Sequence, residues 1–387
     1  MSKSQWERVR LGRYCSKIGS GSTPRGGDQV YQSEGVALIR SQNVYNGLFT
    51  NEGLAFLGDT EAQRLNGVTV EEEDLLLNIT GDSVARCCQV PKSVLPARVN
   101  QHVAIVRPNP DAFDACFLKY FFISPWMQSI MLSLAGSGGT RKALTKEMIQ
   151  SFEIPKPTLL VQQEIANVLS SYDDLIKNNR RRMTLLEETA RLHYQEWFVH
   201  LHFPGHEHTP ITNGIPEGWE RSPLEKALLL QRGFDLPIQE RHDGEVPIYG
   251  STGINGYHNK ARVNGPGIVT GRSGTLGEVR YVREDYWPLN TALWVKEFRR
   301  ITPLFALFLL RSMDLKQYNG GVSVPTLDRK SVHKVEVLIP PRRLVSDFDE
   351  LASPMFELRA NLTLQNQKLR AARDLLLPRL MSGEIEV

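Results

Sequence analysis

Two long stretches of the chain share one pattern: IPKPTLLVQQEIANVLSSYDDLIKNNRRRMTLLEETARLHYQEWF at residues 154–198 and LIPPRRLVSDFDELASPMFELRANLTLQNQKLRAARDLLLPRL at residues 338–380. Each begins with a short extended run into prolines, and a long helical pattern follows. Mostly apolar residues recur at alternating steps of four and three, which is typical of a coiled-coil seam. The predicted seam consists of Ile165, Leu169, Tyr172, Ile176, Asn179, Met183 and Leu186, and of Leu351, Met355, Leu358, Leu362, Gln365 and Leu369. Because neither helix can bury such a seam alone, we expect them to pair, antiparallel, with each other.

The centre of each predicted seam carries one polar residue. The two patterns superimpose with a shift of 186 residues, which places Asn179 on Gln365. A single polar residue in a seam fixes register and partner at some cost in stability. The alternative is that each amide points to solvent.

The segments that precede the two helices also repeat. Trp6-Glu7-Arg8 opens the first and Trp219-Glu220-Arg221 opens the second, and strand-like runs, an apolar helix, a glycine turn and a last strand follow in both. The predicted fold is therefore α/β (α+β): two copies of one head, separated by two long antiparallel coiled-coil helices, in a pseudo-twofold internal repeat. The predicted domains are a first head at 1–157, a central helix at 158–203, a linker at 204–218, a second head at 219–341, a C-terminal helix at 342–381 and a tail at 382–387.

Length, charge and cysteine usage limit the classes of protein to consider. A chain of 387 residues is longer than one compact core usually holds. A net charge of +3 excludes a general electrostatic binder of nucleic acid, so any such binding needs local positive charge or charge from other subunits. The four cysteines form no CxxC pair, and neither a signal peptide nor an apolar run of membrane-spanning length occurs. We therefore expect a cytoplasmic protein with reduced thiols.

Motifs of catalysis and metal binding are missing. The glycine clusters lack the GK[ST] ending of a nucleotide-binding loop, and no HExxH occurs. The histidines at 200, 202, 206 and 208 could bind a metal, but no acidic or cysteine ligand accompanies them at a recognised spacing, and a polar linker is the alternative. The sequence thus predicts a binding protein with no catalytic and no metal site.

Glycine-rich turns in both heads are flanked by Arg, Lys, Ser, Thr and Asn. Such turns bring backbone N–H groups and short side chains against phosphate, while Arg and Asn reach base edges. Ordinary hairpin chemistry is the alternative. The candidate DNA-binding residues are Arg40, Ser41, Asn43, Asn78, Thr80, Arg86, Ser137, Thr140, Arg141 and Lys142 in the first head, and Tyr249, Ser251, Thr270, Arg272, Ser273, Thr275 and Arg280 in the second.

Three segments carry a family resemblance: LTKEMIQSFEIPKPTLLVQQEIANVLSSYDDLI at 144–176, LRAARDLLLPRLMSGEIEV at 369–387 and GRSGTLGEV at 271–279. With them the whole chain resembles the specificity (S) subunits of type I restriction–modification systems. The resemblance implies two target recognition domains that each read one half of a split double-stranded DNA site, with the paired helices as a spacer. It also implies two methyltransferase subunits that carry S-adenosylmethionine, and two restriction–translocase subunits that use ATP and Mg²⁺. No catalytic residue and no cofactor of its own is implied for this chain.

Two other functions stay open on the sequence alone. The first is a coiled-coil scaffold that binds proteins without DNA specificity, and the second is a stand-alone nuclease or methyltransferase, which the missing motifs oppose. Sequence-specific, salt-dependent DNA binding in the presence of the partners would separate the first from a specificity subunit.

Overall fold

The computed structural model describes residues 6–136, 142–321 and 323–387. The chain divides into two compact units. Unit 1 comprises Met1–Asn178 with Gln365–Val387, and unit 2 comprises Asn179–Leu364. Two helices are much longer than the others, Leu159–Tyr194 and Arg342–Met381, and the first continues into a π-helical turn at Gln195–Val199. Each unit contains part of both long helices. In the described ranges, no helix combines the length and the apolar character that crossing a bilayer demands.

Two sheets form most of the head in unit 1. The first is antiparallel and has the strand order Cys87–Gln89, Leu75–Asn78, Val103–Pro108 and Cys15–Ser20. The second has the order Tyr31–Gln32, Ala55–Leu57, Val36–Ile39, Ala97–Val99 and Thr69–Val70, and its one parallel pair joins Val36–Ile39 to Ala97–Val99. Two smaller antiparallel pairs are Arg8–Arg10 with Glu153–Pro155 and Val44–Tyr45 with Leu48–Phe49.

The helices of this head are Asp59–Arg64, Ala115–Ile123, Pro125–Gly136 and Lys146–Gln150. Ala115–Ile123 begins where the Asp114 carboxylate accepts a hydrogen bond from the Phe117 N–H at 2.8 Å, which is a standard N-cap. The core of unit 1 lies between this helix and the long helices. Phe117 and Leu118 are buried there with Ile165 and Leu377.

Unit 2 repeats this plan with shorter connections. Its antiparallel sheet has the order Leu228–Arg232, Ala292–Phe298, Gly267–Gly271 and Val279–Val282. Its mixed sheet has the order Gly253–His258, Val246–Gly250 and Trp287–Pro288, with the last two parallel. Two further antiparallel pairs are Glu220–Pro223 with Glu336–Ile339 and Ile211–Thr212 with Ile215–Pro216.

The short helices of unit 2 are Leu224–Ala227, Pro303–Ser312 and Arg329–His333. Pro303–Ser312 has proline in its first turn and Thr302 as its N-cap, and both favour a helix start. Its aromatic residues pack in an edge-to-face cluster on the long helices, in which Phe348 is fully buried and its ring centroid lies 5.9 Å from that of Tyr194 and 6.0 Å from that of Phe308. Burial of such side chains stabilises the unit by about 1.5–3 kcal/mol each.

Within each unit the two long helices run antiparallel. In unit 2, Thr363 Oγ1 donates to Met183 Sδ at 3.8 Å, and Arg359 pairs with Glu187, so a rise in number on one helix accompanies a fall on the other. In unit 1, Arg373 pairs with Asp173.

The seam prediction is wrong at two positions of the second long helix. Leu358 is 37% exposed, and Gln365 is also exposed, whereas the neighbouring Asn366 is 4% exposed. The helical period of 3.6 drifts relative to a strict seven-residue repeat, so Phe356 and Asn366 are buried one residue after predicted positions, whereas Leu362 is buried as predicted. Matching burial in the two helices therefore follows a shift of 183 rather than 186, as in the fully buried pairs Ile165 with Phe348 and Leu169 with Ala352.

The other predicted seam residues lie where the long helices are buried or half-buried. Ile165, Leu169, Ile176, Asn179 and Leu362 are buried, and Tyr172, Met183, Leu186, Leu351, Met355 and Leu369 are half-buried.

Each head is joined to the long helices by a carboxylate that also binds an arginine of the second long helix. In the unit 1 junction, the Tyr120 hydroxyl donates to Asp173 at 2.7 Å, and Arg373 pairs with the same carboxylate. Burial raises the pKa of Tyr120, so the hydroxyl stays a donor.

The unit 2 junction uses a different donor from the head. Arg311 lies 2.6 Å from Glu187, and Arg359 pairs with the other oxygen of that carboxylate. Burial lowers the pKa of Arg359, whereas the Glu187 charge raises it. The carboxylate therefore favours the charged form of this half-buried guanidinium.

Candidate nucleic-acid interface

Unit 1 has an open groove of about 420 Å³ at the edge of its antiparallel sheet where Leu75–Asn78 ends. We call it the Tyr45 groove. Its lining includes Ser41, Gln42, Tyr45, Thr80, Arg86 and His102. These residues come from three segments of the chain, and three of them, Ser41, Thr80 and Arg86, were predicted from the sequence.

Local contacts hold the side chains of the Tyr45 groove in place. The Arg86 guanidinium stacks on the Tyr45 ring, 4.8 Å from its centroid, and Tyr45 is 41% exposed. The Thr80 hydroxyl lies 2.6 Å from His102 Nδ1. The Lys142 carbonyl accepts a hydrogen bond from the Gly81 N–H at 3.2 Å, which brings the exposed Lys142 beside the groove. The groove thus presents an oriented guanidinium, an aromatic ring, an amide and hydroxyl groups.

Two predicted DNA contacts of the first head are wrong because the residues are fully buried. Asn43 accepts a hydrogen bond from the Arg40 N–H and donates to the Thr50 and Glu52 carbonyls, which closes a short 3₁₀ turn. Asn78 donates to the Ser41 carbonyl at 2.8 Å and so positions one wall of the groove.

Arg40 also serves the local structure. Its guanidinium stacks on Tyr31, 5.3 Å from the ring centroid, and donates to the Gly53 carbonyl. Ser137, Thr140 and Arg141 lie outside the described residues.

Unit 2 has a groove of nearly equal size, about 430 Å³, at the corresponding sheet edge, where Leu228–Arg232 and Gly267–Gly271 end. We call it the Arg272 groove. Its lining includes Arg232, Arg272, Thr326, Asp328, Arg329 and Lys330. The two grooves are alike in volume but differ in lining. The Tyr45 groove contains one arginine and one aspartate, whereas the Arg272 groove contains four cationic side chains and one aspartate.

A tight turn brings four of the predicted residues of the second head together. A Cβ built on Gly271 would lie 1.9 Å from the Thr275 carbonyl oxygen and 3.1 Å from that of Ser251, so only glycine allows this approach. The Arg272 and Ser273 N–H groups both donate to the Thr291 carbonyl. Ser251, Arg272, Ser273 and Thr275 therefore surround one turn at the sheet edge, and Thr275 is exposed.

Two predicted contacts of the second head are wrong because the residues are buried. Tyr249 is 7% exposed, and burial raises its pKa to about 12, so its hydroxyl faces the interior. Thr270 is 2% exposed in the middle of the sheet. Arg280 is half-buried; its guanidinium donates to the Thr252 carbonyl at 3.1 Å and pairs with Glu278, and its contact with DNA stays a prediction.

Sequence reasoning missed several groove residues. Tyr45 and His102 in unit 1 were not selected, and neither were Arg232, Arg329 and Lys330 in unit 2. A polar or aromatic residue at the last position of a strand would have been a signal for Tyr45 and Arg232. Arg329 and Lys330 follow the N-cap Asp328, and helix-capping rules would have placed them in a first turn.

The linker histidines contact an acid that the sequence pattern did not indicate. His200 Nδ1 and His202 Nδ1 each lie 3.0 Å from an oxygen of Glu196. In the part of the chain that the structure describes, no group of three or more His, Cys, Asp or Glu side chains is arranged to hold a metal ion.

Two repeated heads, each with an open groove at a sheet edge, and long paired helices define a class of two-headed proteins. The family model described as "Type I restriction modification DNA specificity domain" matches residues 3–188 and 216–343, so the chain belongs to that family. The expected resemblance is confirmed. The fold class is confirmed as well.

Individual relatives agree with this assignment. The specificity subunit of the type I restriction enzyme MjaIX from Methanocaldococcus jannaschii is 27% identical over 320 residues, which cover 76% of this chain and 74% of the relative. The HindI specificity subunit from Haemophilus influenzae is 20% identical over an alignment of 474 positions that covers 99% of this chain and 100% of the relative.

A solved structure shares the fold. The crystal structure of a type I restriction–modification S subunit from M. genitalium aligns with a TM-score of 0.62 at 16% identity and covers 98% of this chain and 97% of that one. At this identity the likeness concerns the fold alone.

Proposed function

We propose that this chain is the non-catalytic, DNA-reading subunit of a type I restriction–modification complex and that each unit contacts one half of a bipartite double-stranded site. The observation that carries the proposal is the convergence of side chains from separate segments on one open groove in each unit. In unit 1, Ser41, Thr80 and His102 come from three different connections. Such convergence at an exposed sheet edge is not required by packing.

The chemistry of the Tyr45 groove suits the reading of base edges. An arginine donates two hydrogen bonds to guanine O6 and N7, and a glutamine amide pairs with adenine N6 and N7. The stacking of Arg86 on Tyr45 limits the rotamers of the guanidinium, so less conformational entropy is lost on binding. Gln42 is exposed, and its Nε2 donates to the Gly53 carbonyl at 3.1 Å, which leaves its carbonyl oxygen as an acceptor.

The names of the relatives support the rest of the assembly. They are called specificity subunits of type I restriction enzymes. We accordingly propose two methyltransferase subunits and two restriction subunits as partners, with S-adenosylmethionine, ATP and Mg²⁺ bound by them. The target adenine would then leave the stack for methylation by a partner.

The test uses the full chain in complex with its methyltransferase subunits. Arg86→Ala should weaken binding of the target duplex by about 10- to 100-fold, since a bidentate arginine–guanine contact contributes about 1–3 kcal/mol. Sequencing of methylated positions in a randomised duplex library should show relaxed preference within one half-site and an unchanged other half.

Arg13→Ala is the matched control. Arg13 is exposed and lies two residues before strand Cys15–Ser20. In the neighbouring strand Ser20 pairs with Ala104, near His102, whereas Cys15 pairs with Pro108. Arg13 therefore lies at the end of the strand that is away from His102. The control should bind as the wild type does. A wild-type complex without sequence preference would contradict the proposal, and so would an Arg86→Ala complex with unchanged preference and affinity. Gln42→Ala provides a second variant at an exposed position.

A further inference from the structure

Positive charge is concentrated in the Arg272 groove although the whole chain has a net charge of only +3. Its four cationic side chains belong to three segments: Arg232 ends a strand, Arg272 follows another strand, and Arg329 with Lys330 opens a short helix. Clustered cations in a concave surface focus the electrostatic potential and raise the local concentration of anions.

The one acid of this lining is directed at its own helix. The Asp328 carboxylate accepts hydrogen bonds from the Ser331 hydroxyl at 2.6 Å and from the Lys330 N–H at 3.0 Å. These hydrogen bonds hold the pKa of Asp328 below its usual value. Arg232 approaches Asp235 only to 3.9 Å, and one nitrogen of Arg272 donates to the Asn290 carbonyl at 3.1 Å. The cationic side chains of the groove thus keep N–H donors that make no close ion pair with a carboxylate of the groove.

Backbone hydrogen bonds fix the segments that carry these cations. The Leu327 N–H donates to the Arg272 carbonyl at 2.8 Å, and the Gly320 N–H donates to the Thr326 carbonyl at 2.8 Å. The Leu230 N–H donates to His333 Nε2 at 2.9 Å, which joins the helix of Arg329 and Lys330 to the strand of Arg232. The backbone segments that carry the positive side chains are therefore fixed by hydrogen bonds within the fold.

The composition of this lining favours phosphate over base edges. As described, it contains neither an aromatic ring nor a side-chain amide, whereas the Tyr45 groove has both. About half to two-thirds of protein–DNA hydrogen bonds go to phosphate and sugar, arginine and lysine supply many of them, and these contacts carry no base information.

We propose that the Arg272 groove binds backbone phosphates of the DNA and supplies salt-sensitive anchoring, whereas the Tyr45 groove contacts base edges; the bases of the second half-site are read by other surfaces of the second head. The inference rests on the proposed function and assigns a distinct chemical role to each groove. Displacement of condensed counterions from DNA by each phosphate contact makes the association constant fall with salt.

The experiment measures binding of the target duplex by the complex with methyltransferase subunits over a range of salt concentrations. Arg329→Ala and Lys330→Ala, singly and together, should each reduce the slope of log K against log salt by about one unit and leave the preferred sequence unchanged. Arg86→Ala should give the converse result, with relaxed preference and a slope close to that of the wild type.

Arg283→Ala is the matched control. Arg283 is exposed and follows Val282, which pairs with Gly267. Gly267 begins the strand Gly267–Gly271, so Arg283 lies at the end of the sheet that is away from Arg272. Its substitution should leave both slope and preference unchanged. A common unfolding midpoint for the wild type and the five variants would show that the substitutions act on binding alone.

A second arm distinguishes the source of the phosphate. Calorimetric titration of the same complexes with ATP or inorganic phosphate in the absence of DNA should show no binding that depends on Arg329. Such binding, an unchanged salt slope in the double variant, or a changed preferred sequence would overturn the inference. Loss of all sequence preference in the wild type would instead overturn the proposed function, so the two failures are distinguishable.

Discussion

Unit 1 and unit 2 attach their heads to the long helices in the same way but present different chemistry at the sheet edge. In both junctions a carboxylate of the first long helix, Asp173 or Glu187, binds an arginine of the second long helix and a donor from the head. At the sheet edge, the groove of unit 1 has an aromatic ring and an amide in its lining, whereas the lining of the unit 2 groove is cationic.

The difference shows where packing constrains the sequence. Junction residues are partly buried, so an unpaired charge there costs free energy. Groove residues at strand ends are exposed, and most substitutions there change stability little. Divergence of the two heads is therefore least costly in the grooves.

The largest effect expected concerns the frame that both units share. Phe348 and Ile165 are fully buried at matching positions of the two long helices. Phe348→Ala should lower the free energy of unfolding by about 3–5 kcal/mol and Ile165→Ala by about 2–5 kcal/mol, because each leaves a cavity. Denaturant titration measures both. A loss below about 1 kcal/mol at either position would break the equivalence of the two halves.

The next effect concerns a junction. Glu187→Gln should destabilise unit 2 by about 1–3 kcal/mol, because it leaves the half-buried Arg359 and the exposed Arg311 without their carboxylate. The neighbouring Glu188 pairs with Arg191 in an exposed position, and Glu188→Gln is the control, with no measurable change expected. Equal unfolding midpoints for the two variants would contradict a structural role for the junction.

A smaller effect tests the corrected seam. Asn366 is buried and Gln365 is exposed, so Asn366→Ala should cost about 1–2 kcal/mol through loss of a buried polar side chain and its contacts. Gln365→Ala should change the unfolding free energy by less than about 0.5 kcal/mol. The reverse order would restore the shift of 186 between the helices.

The smallest effect is a pH dependence in unit 2. Burial lowers the pKa of His333 below its usual value of 6.5; nearby Arg329 and Arg299 add to the shift, and Glu225 opposes it. The unfolded chain therefore binds a proton at a higher pH than the folded protein does, and the stability contributed by neutral His333 is lost as the pH falls below about 6.5.

His333→Gln should reduce this loss, since the amide does not titrate, at a cost of about 1 kcal/mol near pH 8 from a poorer hydrogen bond to the Leu230 N–H. Unfolding curves of both proteins between pH 5 and pH 8 provide the check. Parallel pH profiles would exclude His333 as the titrating group.

The sequence was most informative where burial repeats with a helical period. The two long helices and the repeated heads were predictable because apolar spacing reflects packing directly. The drift at Leu358 and Gln365 was not, since a shift of one residue depends on which partner side chains fill the space. The domain bounds expected at 157, 203, 218 and 341 stay a prediction.

The grooves were predictable only in part. Asn43 and Asn78 have the residue type and the glycine-rich context of DNA contacts, yet both use their amides within the fold. Local sequence cannot separate an asparagine that closes a turn from one that faces solvent. Arg329 and Lys330 belong to the Arg272 groove through strand pairing over long sequence distances, which no short motif encodes.

The most direct test of two independent readers is an exchange of residues 1–157 for the first head of another family member. Methylated positions in the genome of a host that expresses the chimera with its methyltransferase subunit then report the recognised sequence. We predict a new sequence in one half of the site and an unchanged sequence in the other half. A change in both halves, or in neither, would contradict the assignment of one half-site to each head.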